Sequence, residues 1–322
     1  MEWFSSGKIY DFMSKRNLFV SISILFIIGS IVLIFTKGFN WGIDFKGGTV
    51  VQVQFEKKAP IKEIRKLISK SYEGISVTNF GSDKEVIIKF PVTAKNSVTK
   101  DLGDRVSEIL KPLGKFKVRR VDIIGAKVGN ELRDNGIKAL TFAIIGILIY
   151  VAFRFEWRFA VASVIALFHD VIISIGFVSL FNVDVNLDVL AAVLTILGYS
   201  LNDTIVVFDR IREEITQTKE RDLAKLINSA VSQTLSRTVL TSLTTFLVVL
   251  TLYLFGGEII KPFSFTLLVG IIAGTYSSIF IASPLLIWLG FKVDDFRKQL
   301  AEKEKIKREK ERLRNQYGQG VL

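Results

Sequence analysis

The chain alternates long stretches without charge and shorter stretches dense in it. Residues 17–36, 139–153, 171–183, 189–202, 238–257 and 262–291 hold no Asp, Glu, Lys or Arg. Apolar runs of about 18 residues or more read as membrane spans, because roughly 20 helical residues are needed to cross the hydrocarbon. The pattern predicts six spans, near 17–36, 136–153, 159–181, 187–208, 238–255 and 263–289. Lys138 lies near one end of the second, where its ammonium can snorkel to the interface. Pro284 lies in the last, where neighbouring groups must satisfy the freed carbonyl. The first span follows Lys15-Arg16 and lacks a short apolar core with a small-residue cleavage site, so it is expected to stay as an uncleaved anchor.

Between the first and second spans the pattern changes period. Residues 49–55 (TVVQVQF) alternate apolar and polar positions, as a half-buried strand does. Pro60 then stands where a first helical turn begins, and Ile61, Ile64, Leu67 and Ile68 recur at helical spacing. Residues 75–80 and 85–92 read as strands joined by a turn at Gly81-Ser82-Asp83. Val98, Leu102, Val106 and Leu110 mark a second helix, ended near Pro112 and Gly114, and residues 116–124 form a fourth strand. The order β-α-β-β-α-β is the ferredoxin-like pattern. The expected fold class is therefore a polytopic α-helical membrane protein with six transmembrane helices and one α+β ferredoxin-like (βαββαβ) extracytoplasmic domain. Its expected parts are 1–36 (N-terminus and first span), 37–135 (outer domain), 136–290 (five-helix bundle) and 291–322 (basic tail).

Composition narrows the class. Among 322 residues there are 43 Lys+Arg against 31 Asp+Glu, no cysteine and one histidine. The uncharged runs exclude a soluble enzyme. They also remove nucleic acid as the explanation of the net +12, since basic loops of membrane proteins have their own cause. Without cysteine there is no disulfide framework, thiol chemistry or Cys-based zinc site, and a single histidine cannot build a His-rich metal site. No cofactor is expected, and no catalytic triad or metal cluster stands out. The connection after the second span holds Arg154 and Arg158. The one after the fourth holds Arg210, Arg212, Lys219, Arg221, Lys225 and Arg237. The intervening loops hold no basic residue, at 182–186, and one, Lys261. The positive-inside rule then predicts both termini in the cytoplasm of a multi-pass inner-membrane protein. Residues 37–135, with 20 Lys+Arg and 12 Asp+Glu, face outward, because long domains cross largely regardless of charge.

Charges inside spans cost ~2.5–3.5 kcal/mol on insertion scales, so each asks for a partner and a reason. Asp203 lies five residues before Phe208, roughly 7–8 Å inside the boundary of the fourth span at ~1.5 Å per residue. Arg237 enters the fifth span from the same side, Thr241 follows one turn later, and Ser200 and Asn202 flank the aspartate. An Asp203–Arg237 pair ringed by these groups can trade a proton and so favour two helix arrangements, or it can be a static ion pair. His169-Asp170, near the middle of the third span, reads either as part of a proton path or as a polar contact that orients helices. Gly270 and Gly274, with Ser278 a turn on, form a close-packing face for a partner or for the protein's own helices. Gly42, Asp44, Gly47 and Gly48 occupy a turn after the first span. They lack phosphate-loop spacing and read as a hinge or membrane-surface turn. The tail, ten Lys+Arg offset by six Asp+Glu, can meet anionic lipid or a ribosomal surface, or be a solvated charged helix.

Several of these segments together resemble the SecD/SecF family. They are Gly198-Tyr199-Ser200-Leu201-Asn202-Asp203-Thr204 running into Val207-Phe208-Asp209-Arg210-Ile211-Arg212-Glu213, and Ser236-Arg237-Thr238 with Thr241-Ser242. Trp41 to Thr49, Val128-Gly129 with Glu131-Leu132, and His169-Asp170 also fit, so the resemblance runs from about residue 10 to 290. It implies a subunit of the bacterial or archaeal Sec machinery, related to the resistance-nodulation-division (RND) transporters. The implied partners are SecD as heterodimer mate, a SecY-type channel complex, the translocating unfolded polypeptide and membrane lipid. The implied work is to draw polypeptide outward with the proton gradient, along a relay that includes Asp203, Arg237 and Thr241, with a further acidic residue from SecD. A half-transporter exporting lipid or small molecules, and an inert scaffold, are the alternatives.

Overall fold

The protein is described by a computed structural model covering residues 8–92 and 101–318. Val98 lies outside the described residues. Among the described residues, six helices are long and apolar enough to cross a membrane. In chain order the elements begin with α1 (Arg16–Thr36), the two-residue β1 (Asn40–Trp41) and the single turn α2 (Ile43–Lys46). The outer domain follows as β2 (Gly48–Phe55), α3 (Ile61–Ile68), β3 (Ser76–Phe80), β4 (Ser82–Pro91), α4 (Leu102–Leu110) and β5 (Phe116–Ile124). The bundle continues with α5 (Ala126–Arg154), α6 (Trp157–Leu180), the short β6 (Asp184–Val185), α7 (Leu187–Gln217) and α8 (Leu223–Phe255). It closes with α9 (Gly257–Ser277), a π-helical turn (Ser278–Ala282), α10 (Ser283–Trp288) and the tail helix α11 (Val293–Gly318).

The outer domain has the β-α-β-β-α-β order that its alternating pattern predicts. Its sheet runs β3-β4-β2-β5 with every neighbouring pair antiparallel. Along β2, Val51, Val53 and Phe55 point inward while Gln52 and Gln54 do not, the consequence of a two-residue side-chain period. These residues join Val86, Ile88 and Phe90 under Ile64, Ile68, Leu102, Val106 and Leu110 in one core.

The membrane helices are longer than the uncharged runs. Helix α5 starts at Ala126, ten residues before the expected boundary at 136. Helix α7 continues nine residues past Phe208, and α8 begins fifteen before Thr238. Uncharged length reports the thickness of the hydrocarbon, whereas helix length is set by where backbone groups find caps. Asn186 caps α7 by accepting from Val189 N at 3.0 Å, and Asp222 caps α8 by accepting from Ala224 N at 2.9 Å. At the far end of α7, Arg297 donates to the carbonyls of Ile215, Thr218 and Glu220 at 2.7–2.9 Å, a cation at a helix C-terminus. The last span is interrupted by the π turn, and Pro284 stands in the first turn of α10, where a missing N–H is tolerated.

Helices α6, α7 and α9 form the centre of the bundle, and α1, α5 and α8 leave most of their apolar surface uncovered. The small-residue face of α9 serves this internal packing. A Cβ at Gly270 would lie 2.2 Å from Ile196 and one at Gly274 would lie 2.9 Å from Ser200, both on α7. At the end of the bundle where α1 begins and α10 ends, Phe155, Phe159, Phe208 and Phe291 meet edge to face or stacked, with centroids 5.0–6.1 Å apart. There Asn228 holds the N-terminal segment. Its Oδ1 accepts from Phe12 N and Met13 N, each at 3.0 Å, and its Nδ2 donates to Asp11 at 2.8 Å. Helix α11 leaves this end with its side chains exposed from Ala301 to Asn315.

Candidate functional site

Asp203 sits on the buried face of α7 with 3% of its surface exposed. Its side-chain partner is Ser242 on α8, whose Oγ donates to Asp203 Oδ2 at 3.2 Å. Thr275 on α9 stands behind that serine. Its Oγ1 is 2.7 Å from Ser242 Oγ and 2.8 Å from Ile271 O, so its single proton serves one acceptor at a time. Asp203, Ser242 and Thr275 thus make a hydroxyl chain across three helices, and Ser242 and Thr275 line an open groove between α8 and α9. Thr238, one turn from Ser242 on the same face of α8, is buried with its hydroxyl unpartnered.

The expected ring around Asp203 is rearranged. Arg237 is exposed, and among the described residues it makes no direct ion pair with Asp203; its charge acts on the carboxylate through space. Thr241 points outward and donates only to carbonyls of its own helix, Arg237 O and Thr238 O, each at 3.0 Å. Asn202 is exposed. The cause is helical phase. Neighbours along the chain turn ~100° apart on the helix axis, so Asn202 cannot share the face of Asp203, nor Thr241 that of Ser242.

Ser200 belongs to a different carboxylate. Its Oγ donates to Asp170 Oδ2 at 2.5 Å, and Ser277 on α9 donates to the same oxygen at 2.8 Å. Asp170 Oδ1 meets His169 Nδ1 at 2.8 Å. His169 and Asp170 are 3% and 0% exposed, so this cluster ties α6, α7 and α9 together in the interior. Both buried carboxylates therefore involve α7 and α9: α7 gives Ser200 to Asp170 and itself carries Asp203, and α9 gives Ser277 to Asp170 and Thr275 to Ser242, the partner of Asp203.

The turn after α1 is a packed joint. Gly42 N donates to Val185 O at 2.8 Å, β1 pairs in parallel with β6, and Asp44 accepts from Leu187 N at 3.1 Å, capping the start of α7. Gly47 has φ +77°, and a Cβ there would lie 2.9 Å from the Ala126 backbone at the start of α5. A Cβ at Gly48 would lie 2.3 Å from Phe90 O of the sheet, and one at Gly129 would lie 2.9 Å from Gly47 N. Backbone approaches this close leave room only for glycine. The segment clamps the outer domain to α5 and α7.

Ser242, Thr238, Thr275 and Ser277 escape a reading of charges, because isolated hydroxyls in apolar spans are common and only register shows which face a carboxylate. Their signal was positional: Ser242 is one turn beyond Thr238, the first uncharged residue of its span.

Residues 105–292 match the family profile described as protein export membrane protein SecD/SecF, C-terminal, and residues 32–59 match the SecD/SecF GG motif. The chain is 48% identical over 326 residues to the protein translocase subunit SecF of Helicobacter pylori strain 26695, covering 100% of both chains. It is 42% identical to the subunit of that name from Escherichia coli O157:H7, covering 92% of this chain and 93% of that one. Among solved structures, a Thermus SecDF described as a translocon-associated membrane protein superposes with a TM-score of 0.76 at 36% identity over 88% of this chain. SecDF in a super-membrane-facing form superposes with a TM-score of 0.70 at 34% identity over 94%. The chain spans 39% and 41% of those two chains.

Proposed function

The chain belongs to the SecD/SecF family of protein-export membrane proteins, and on that premise we propose that it is an accessory subunit of the Sec translocase. In this reading it pairs with SecD and couples the proton gradient to export of unfolded polypeptide through a SecY-type channel. Both termini lie in the cytoplasm, and the outer domain meets the emerging polypeptide.

The observation that carries the reading is Asp203: a carboxylate inside the membrane, held by Ser242 and open through Thr275 to the groove between α8 and α9. A carboxylate at that depth is expensive unless it has work to do. Its hydroxyl chain offers two settings, since Thr275 can donate to Ser242 when the carboxylate draws the serine's proton, or to Ile271 O when it does not. Protonation of Asp203 weakens the pull on Ser242 and loosens α7 from α8. SecD seated in the groove supplies the second wall and a route for water, and Arg237, without a direct side-chain partner among the described residues, is the cation that moves toward Asp203 when its carboxylate is charged. A potential of 100 mV provides ~2.3 kcal/mol per charge, sufficient to bias two helix arrangements of similar energy. Arg237 and the hydroxyl chain have relay roles; His169 and Asp170 anchor the moving helices; Gly42, Asp44, Gly47 and Gly48 transmit the motion of α5 and α7 to the outer domain.

The test is export into proton-energised membrane vesicles carrying the chain with SecD. Asp203→Asn should insert and co-purify with SecD at wild-type levels while export loses its response to the proton gradient. An unchanged response would overturn the relay.

A further inference from the structure

We propose that the cleft bounded by α1, α6 and α9 is a binding site for a small apolar molecule that carries one hydroxyl group, held through His169 Nε2. The cleft has a volume of about 240 Å³, with Ile22, Ser23 and Phe26 of α1 on one side and Ile272, Ala273 and Tyr276 of α9 on the other. His169, Ile173 and Phe177 of α6 form its floor. Ile22, Phe26 and Ile272 are partly exposed, so the mouth opens sideways on the apolar surface of the bundle.

The chemistry of the occupant follows from the histidine. His169 is 3% exposed, and its Nε2 is buried without a hydrogen-bond partner. Leaving such a group unsatisfied is costly, and a partner recovers that cost. Asp170 Oδ1 lies 2.8 Å from Nδ1 and Oδ2 is within reach of Ser200 and Ser277, so Nδ1 is engaged and Nε2 is the ring nitrogen left over. A hydroxyl both donates and accepts, so it satisfies Nε2 in either tautomer. The other polar atoms nearby are engaged with one another: Ser23 Oγ donates to Tyr276 Oη at 3.2 Å, and Tyr276 Oη donates to Phe19 O at 2.7 Å.

A lone water needs about two to four polar partners, and this largely hydrocarbon lining offers few. An organic hydroxyl needs only one polar partner and brings an apolar body that fills the remainder. Apolar cavities of ~150 Å³ take benzene, so this one fits a ring with a short alkyl chain. Tyr276, which stacks on His169 with centroids 6.2 Å apart at 17°, supplies an aromatic wall. The site is separate from the groove at Asp203, and the inference does not rest on the proton-relay reading.

The experiment compares 4-ethylphenol with ethylbenzene on the full chain in lipid nanodiscs. His169 is the one histidine in the sequence, so ring-¹⁵N labelling reports a single Nε2 resonance. The phenol should shift that resonance saturably and bind at least tenfold more tightly than ethylbenzene. Ala273→Leu, which fills the cleft without touching Asp170, should abolish the shift and leave the unliganded resonance in place. Equal binding of the two probes, a non-saturating shift, or a shift that survives Ala273→Leu would overturn the assignment.

Discussion

Ser200 and Asp203 are one turn apart on the buried face of α7 and serve different neighbouring helices: Ser200 donates to Asp170 of α6 at 2.5 Å, and Asp203 accepts from Ser242 of α8 at 3.2 Å. One helix thus carries two polar locks, and α9 backs both through Ser277 and Thr275.

The locks differ in how they should respond to double-mutant cycles on the isolated chain. Asp203 with Ser242 should couple by about 0.6–1.7 kcal/mol, the range for hydrogen bonds between membrane helices. Asp203 with Arg237 should couple near zero until SecD is bound. Unfolding equilibria in mixed micelles measure both; strong Asp203–Arg237 coupling without SecD would contradict the geometry.

Asp170 is the more structural carboxylate. Asp170→Ala strands His169 Nδ1 and two serine hydroxyls in the interior and should cost about 3–5 kcal/mol, whereas Ser277→Ala should cost about 1. Thermal unfolding of the purified variants reads the difference. Equal costs would mean that the cluster is not cooperative.

The glycine joint makes a steric prediction. Gly48→Ala places a methyl 2.3 Å from Phe90 O, and Gly125→Ala, one residue before α5, meets nothing within 4 Å. The first should destabilise the junction by about 1–3 kcal/mol and the second by less than about 0.5. Protease cleavage between the outer domain and α5, timed on both variants, separates them.

The N-terminal clasp carries a pH dependence of definite sign. The Ser14 backbone N–H and then the Asn228 amide hold the Asp11 carboxyl below its ordinary value of 3.8. A depressed pKa means the folded clasp binds its proton less readily than the unfolded chain. Its stabilising contribution is complete above 3.8 and is lost as pH falls through the lower folded value. Hydrogen exchange at Phe12 and Met13 should accelerate on that descent. Asp11→Asn should remove the acid response, and Asn228→Ala should give fast exchange already at neutral pH.

What the sequence determined was set by counting. Six spans and the βαββαβ order follow from the length of uncharged runs and from side-chain periods of two and about 3.6 residues, which local chemistry imposes wherever the chain folds. Asp203 and His169-Asp170 were legible too, because a charge in hydrocarbon is conspicuous at any register. Partners were a different matter. Which hydroxyl meets which carboxylate depends on helix rotation and on the depth at which α8 and α9 lie against α7. These are fixed by contacts such as Gly270 on Ile196 and Gly274 on Ser200. A rotation of ~100° per residue exchanges Thr241 for Ser242. Tertiary packing made that choice, and so it alone assigned Ser200 to Asp170, left Arg237 outside the pair, and turned a glycine-rich turn into the clamp between sheet and membrane.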